Sequence, residues 1–194
     1  MNIHQLSVRY NQEQDRILLS VNTTASEELQ LWLTRRLTLK LWPVLNQLVI
    51  DQFAIPADAK SDGYVNLAAL DAHTKRMLAD LRKQESLQNA DFQTPYRSDA
   101  AIRPLGDAPL LVTEVKLAVT DKGQLRLNFR EQLGDAEPRG CQMDLATELV
   151  FGLLQLLGQA LEQSQWQASA APTPPATEDN LDPDMVAPRP NYLN

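Results

Sequence analysis

Hydrophobic and polar residues alternate along three segments at the start of the chain, the first of them residues 3–10. The apolar positions of the three segments are Leu6, Val8 and Tyr10, then Ile17, Leu19 and Val21, then Leu29, Leu31 and Leu33. A period of two places alternate side chains on opposite faces of a β-sheet. The pattern therefore predicts three strands arranged as a meander.

Apolar residues at helical spacing follow the third predicted strand. Thr34 can serve as the N-cap, because its hydroxyl can accept a hydrogen bond from an unpaired backbone N–H. The apolar positions of this helix are Leu37, Leu41, Leu45 and Leu48. Pro43 lies inside the pattern and is expected to kink or interrupt the helix near Trp42. A second helix is predicted over residues 65–85, and its apolar stripe is Leu67, Leu70, Met77 (or Leu78) and Leu81.

The alternation returns in residues 111–119, 125–130 and 141–145, and Gly123 marks a tight turn between the first two of these segments. A third helix, from Ala146 to about Trp166, follows the last strand. Its apolar face is broad and consists of Leu149, Val150, Leu153, Leu154, Leu157 and Leu161. A helix that is apolar around much of its circumference favours burial or self-association.

The order of these elements repeats. The first-helix positions Leu37, Leu41 and Leu45 recur 112 positions later as Leu149, Leu153 and Leu157, and Ile17, Leu19 and Val21 recur 108 positions later as Leu125, Leu127 and Phe129. We interpret this as an internal duplication, although coincidence would give the same order, since any α+β chain contains strands followed by helices. The predicted fold is α+β, one domain of residues 1–166 in which two strand-strand-strand-helix halves (1–52 and 110–166) form an antiparallel sheet covered by helices on one face. Helix 65–85 and a loop over 86–109 join the halves.

The last segment, residues 167–194, has a different composition. It holds six of the twelve prolines, with four acidic residues and one basic residue. Such a segment cannot bury enough apolar surface to offset its ordering entropy, so a disordered, acidic, proline-rich tail is expected. The apolar residues that would dock it on a partner are Leu181, Met185, Tyr192 and Leu193. An inert solubilising tail is the other interpretation.

Composition narrows the classes of function. The net charge of −7 and the pI near 4.8 argue against a general, charge-driven affinity for nucleic acid or anionic membranes. The single cysteine, Cys141, and two histidines exclude a disulfide framework and the usual structural zinc sites. We find no phosphate-binding glycine loop, nucleophile elbow or zincin helix, and so expect no catalytic residue, no metal, no cofactor and no enzyme activity. No targeting or membrane segment is evident, and a soluble cytoplasmic protein is expected.

The polar positions of the strands collect basic residues and a tryptophan. Together with the start of the first helix, they give a candidate surface of Arg9, Trp32, Arg35, Arg36, Lys116, Arg126 and Arg130. A basic sheet with an aromatic platform is typical of single-strand nucleic-acid binders, and the repeated sheet-plus-helix plan resembles the PUR and Whirly classes in architecture only. Those families have four strands per unit where three are predicted here, so no residue role is carried over. Water-exposed strand faces are commonly basic as well. Arg35 and Arg36 could form an anion site with the free backbone N–H groups at the start of the helix, or instead pair with Glu27, Glu28 or an acidic residue of a partner.

These observations favour two functions. The first is a non-enzymatic protein-interaction module, an adaptor or assembly component, which self-associates as a homo-oligomer and binds protein partners through the sheet face, the last helix or the tail. The second is a single-stranded DNA- or RNA-binding protein that uses the basic sheet face, with the acidic tail in a regulatory role. A membrane is not an expected partner of either.

Overall fold

The computed structural model describes residues 3–53, 70–91, 94–97 and 102–166. The strands are β1 (Ile3–Asn11), β2 (Arg16–Thr23), β3 (Glu28–Thr34), β4 (Leu110–Leu111), β5 (Glu114–Val119), β6 (Leu125–Glu131) and β7 (Arg139–Leu145). The helices are α1 (Arg35–Gln52), α2 (Ala72–Asn89) and α3 (Thr147–Ser164). The fold is α+β, as predicted. The predicted tail lies outside the described residues, and so does the start of the helix predicted over 65–85.

The strands form one sheet of four in the order β1-β2-β3-β4 and one sheet of three in the order β5-β6-β7. Pairing is antiparallel within each half, whereas β3 and β4 pair in parallel. One continuous segment links the sheets, because Val112 donates its backbone N–H to Trp32 O and Thr113 donates to Arg130 O. The segment thus changes partners from β3 to β6 between two adjacent residues.

Equivalent residues form the cross-strand pairs in the two halves. Cross-strand neighbours on the helix-covered face are Tyr10, Ile17 and Leu33 in the first half and Val119, Leu125 and Leu145 in the second. Helices α1 and α3 each have 18 residues, and their first residues, Arg35 and Thr147, lie 112 positions apart. The predicted pair of strand-strand-strand-helix halves is therefore confirmed.

Each helix packs on the first strand of the other half. α1 leaves β3 and packs against β5, while α3 leaves β7 and packs along β1. The two helices touch where Trp42 lies over Gly158. A single hydrophobic core consequently includes side chains from both halves.

α3 is the central helix of this core. Its buried side chains are Val150, Phe151, Leu153, Leu154, Leu157, Ala160 and Leu161. They pack against β1 on one side, and α2 covers another side of the helix. Most of the apolar circumference that suggested self-association is therefore used inside the chain.

α1 begins as predicted, with the Thr34 hydroxyl accepting a hydrogen bond from Leu37 N. The helix continues through Pro43, so the predicted interruption does not occur. Leu41 and Leu45, on either side of the proline, are both buried and hold their turns against the core. None of the helices in the described ranges is long and apolar enough to cross a membrane.

α2 faces the core differently from the prediction. Met77 and Leu81 are 60% and 52% exposed, whereas Ala79 is buried with Leu78 packed against it. The guanidinium of Arg82 also donates to Phe53 O at the end of α1, which turns this side of α2 inward. The predicted stripe is therefore wrong at Leu81, and of the two alternatives Met77 and Leu78 it is Leu78 that packs inward.

Candidate functional site

One end of the outer face of the first sheet is covered by the chain itself. The Tyr96 hydroxyl lies 2.9 Å from Asn22 Oδ1 and 3.2 Å from Glu28 Oε1, and Asn22 Nδ2 donates to Arg97 O. Burial, followed by the Glu28 carboxylate, raises the pKa of Tyr96, so its hydroxyl remains a donor at neutral pH. The expected open sheet face is therefore closed here, because polar outward side chains bind residues 94–97.

Glu28 has a different partner from the one predicted. Its carboxylate is 1% exposed and receives Arg103 Nε at 3.2 Å and Nη2 at 3.1 Å. Arg35 instead lies with Nη2 3.4 Å from Trp166 O, and Arg36 is exposed in the first turn of α1. The predicted local salt bridges to Glu28 are wrong because Arg103 already occupies that carboxylate.

The outer face of the second sheet carries three of the predicted basic residues, each beside a carboxylate. Arg126 donates from Nε and Nη2 to Asp144, both at 2.8 Å. This contact holds the pKa of Asp144 below its usual range. Lys116 Nζ and Arg130 Nη1 lie 3.4 Å and 4.0 Å from Glu114. Two carboxylates thus compensate part of the charge of the three cations, which lowers the capacity of this face to bind phosphates.

The remaining members of the predicted surface do not join this cluster. Arg9 is exposed on β1 and Trp32 is half-buried on β3, both on the outer side of the first sheet. Trp42 packs over Gly158, and Trp166 meets Tyr10 edge to face at 5.6 Å. The structure therefore distributes the predicted residues over two sheets and one helix start.

Groups that could carry catalysis are isolated. Burial raises the pKa of the Cys141 thiol to about 11, so it is protonated at neutral pH. His4 and His73 are exposed on different elements, β1 and α2. In the described part of the chain, no three His, Cys, Asp or Glu side chains cluster in a way that could hold a metal ion.

A groove lies between α1 and β5 and has a volume of about 690 Å³. We call it the α1–β5 groove, and it is lined by Pro43, Val44, Gln47, Leu48, Asp51, Gln52, Leu117, Ala118 and Val119. Val44 is 52% exposed and Val119 is 39% exposed. Two large apolar side chains thus face solvent across one depression.

The backbone of β5 faces this groove. Thr120 N donates to Gln124 O at 2.9 Å, so this residue pair is hydrogen bonded at the end of the β5–β6 hairpin. Antiparallel pairs alternate between bonded and non-bonded residues. Ala118 therefore bonds to β6, and the N–H and C=O groups of Leu117 and Val119 point to the other edge. No strand pairs with that edge within the described ranges.

The corresponding edge strand of the first half, β1, contacts other parts of the chain at both of its ends. Gln5 on β1 bonds through its side chain to Pro95 O and Arg97 N. At the other end of β1, Trp166 packs on Tyr10 and donates from Nε1 to Asp15 at 2.6 Å. This bond and the one from Tyr10 lower the pKa of Asp15. Val119 occupies the register position of Tyr10 in the second half and is 39% exposed.

Sequence reasoning did not find the α1–β5 groove, because its two walls belong to different halves. Val44 lies outside the apolar stripe of α1, next to Pro43, which was the one local signal that this side of the helix is unusual. Comparisons of the chain with protein-family models, with curated proteins and with solved structures find no match.

Proposed function

We propose that the protein is a non-enzymatic protein-interaction module that binds an extended segment of a partner protein in the α1–β5 groove. The observation that supports this most is the β5 edge at Leu117 and Val119, with which no strand of the described residues pairs, beside the exposed apolar side chain of Val44. A strand edge next to an apolar helix face is the arrangement in which a peptide adds to a sheet as a further strand.

The two walls would supply different parts of the binding free energy. Main-chain hydrogen bonds to Leu117 and Val119 fix the backbone of the segment and are insensitive to its sequence. Alternate side chains of the segment turn towards α1 and bury apolar area against Val44 and Leu48, at about 25 cal/mol per Å². The groove therefore selects extended segments with apolar residues at every second position.

Selection from a library of random, unstructured ten-residue peptides tests this proposal. We expect the selected peptides to show alternating apolar residues, and their affinity, measured by fluorescence anisotropy, to fall about tenfold or more in Val44→Asp. Val119→Pro, which removes an N–H from the free edge without breaking a bond to β6, should also reduce binding.

Leu133→Asp is the matched control, because Leu133 is 48% exposed and lies outside the groove. Unchanged binding in this variant is expected, and circular dichroism should show that all three variants fold. A library that yields no binder, or binders that bind Val44→Asp and wild type equally, would overturn the proposal.

Single-stranded nucleic-acid binding has less support from the geometry. The bidentate Arg126–Asp144 pair and the contacts of Lys116 and Arg130 with Glu114 compensate part of the positive charge of the second sheet. Residues 94–97 and Arg103 contact the polar outer side chains of the first sheet. We retain this function as the alternative to be tested.

Self-association and a cytoplasmic location are further parts of the proposal. A reducing compartment suits a chain with one cysteine, since no disulfide within the chain is needed. The residues proposed for tail docking (Leu181, Met185, Tyr192 and Leu193) lie outside the described residues.

A further inference from the structure

The α1–β5 groove has a chemical asymmetry along its length. Val44 and Leu48 face it from the middle of α1, and Asp51 faces it from the last turn of that helix. Asp51 is the one ionisable side chain among the lining residues. An apolar stretch that ends at a carboxylate gives the groove two chemically different ends.

Resting on the proposed function, we infer that the bound segment carries a lysine or arginine that pairs with Asp51, next to two apolar residues that pack on Val44 and Leu48. The bound partner is thus a basic-apolar extended peptide. An acidic or uniformly apolar segment does not match both ends of the groove.

The spacing of the lining residues sets the spacing of the segment. Val44, Leu48 and Asp51 lie four and three residues apart on α1, which corresponds to about 6 Å and about 4.5 Å of helix rise. Alternate residues of an extended chain are about 6.7 Å apart and point to the same side. Two apolar residues and a long basic residue at alternate positions therefore match the three side chains.

Asp51 is available to such a partner. Gln47 Nε2 donates to Asp51 Oδ2 at 3.0 Å, which orients the carboxylate. No cationic side chain of the described residues forms a salt bridge with it. The net charge of −7 also favours the approach of a cationic segment over an anionic one.

Three labelled peptides that differ at one position test the inference. Each has valine at two alternate positions, separated by threonine, and then lysine, glutamine or glutamate at the next alternate position. We expect the lysine peptide to bind about fivefold more tightly than the glutamine peptide, with the glutamate peptide weakest. The preference should shrink as the salt concentration rises.

Asp51→Asn should remove the preference for lysine, and Asp51→Lys should reverse it in favour of glutamate. Asp80→Asn is the control, because Asp80 is exposed on α2, outside the groove. Equal binding of the lysine and glutamate peptides to wild type, with binding of the neutral glutamine peptide still lost in Val44→Asp, would overturn this inference and leave the proposed function standing. If no peptide binds, or if binding of the glutamine peptide survives Val44→Asp, the proposed function itself fails.

Discussion

At the scale of single residues, two glycines of α3 occupy different surroundings. A Cβ at Gly152 would meet no atom within 4 Å, whereas a Cβ at Gly158 would lie 3.3 Å from Trp42 Cη2. Glycine in a helix interior costs about 1 kcal/mol relative to alanine. Gly158 is thus the position where a missing side chain lets α1 and α3 approach each other.

Gly152→Ala should raise the free energy of unfolding by about 1 kcal/mol, because the helix gains propensity and nothing is displaced. Gly158→Ala should gain less or lose stability, because the new methyl group presses on Trp42. Urea denaturation of both variants measures the difference. Equal gains in the two variants would show that the Trp42 ring moves aside without cost.

Buried polar residues show where sequence reasoning is weakest. The apolar positions of β2, β3 and α1 were predictable because their periodicity determines which side is buried. The burial of Glu28 was not predictable, because its partners Tyr96 and Arg103 lie about 70 positions away in a segment without periodicity. The local sequence pattern thus determines which face of a strand points to the core. Residues distant in sequence determine whether the opposite face is exposed to solvent.

At the scale of elements, the outer face of the second sheet can be tested directly for nucleic-acid binding. A fluorescent single-stranded oligonucleotide should bind weakly at low salt and not at moderate salt, because the cations are already paired with Glu114 and Asp144. Arg126→Ala and Trp32→Ala should change this weak binding little. Tight, salt-sensitive binding that is lost in both variants would instead favour the nucleic-acid function.

The helices and strands also show which structural features the pattern of apolar and polar residues predicts. Strand and helix boundaries of the two halves follow from alternation, a cap and a repeat, so most were predicted within a few residues. The strand predicted over 111–119 is an exception, because it is divided into β4 and β5, which belong to different sheets. The inward face of α2 was not, because it depends on the small side chain of Ala79 and on the contact of Arg82 with Phe53. The α1–β5 groove likewise exists only once a helix of one half lies on a strand of the other.

At the scale of the whole molecule, the exchange of helices predicts that neither half is stable alone. β1 loses the cover of α3 in a fragment of residues 1–109, and β5 loses α1 in a fragment of residues 110–194. We expect each fragment to lack a cooperative thermal transition by circular dichroism, and the mixture to regain one. The full chain should unfold in a single transition, and two separate transitions would contradict the shared core.

The reciprocal packing of α1 and α3 has a consequence for assembly. All contacts between the halves could equally form between two chains, with the first half of one joined to the second half of the other. Such domain swapping would produce a dimer without any surface dedicated to it, and the length of the connection between the halves would set the balance between closed monomer and exchanged pair. Shortening that connection is then a route to a stable dimer, and the α1–β5 groove would persist in it, formed by two chains.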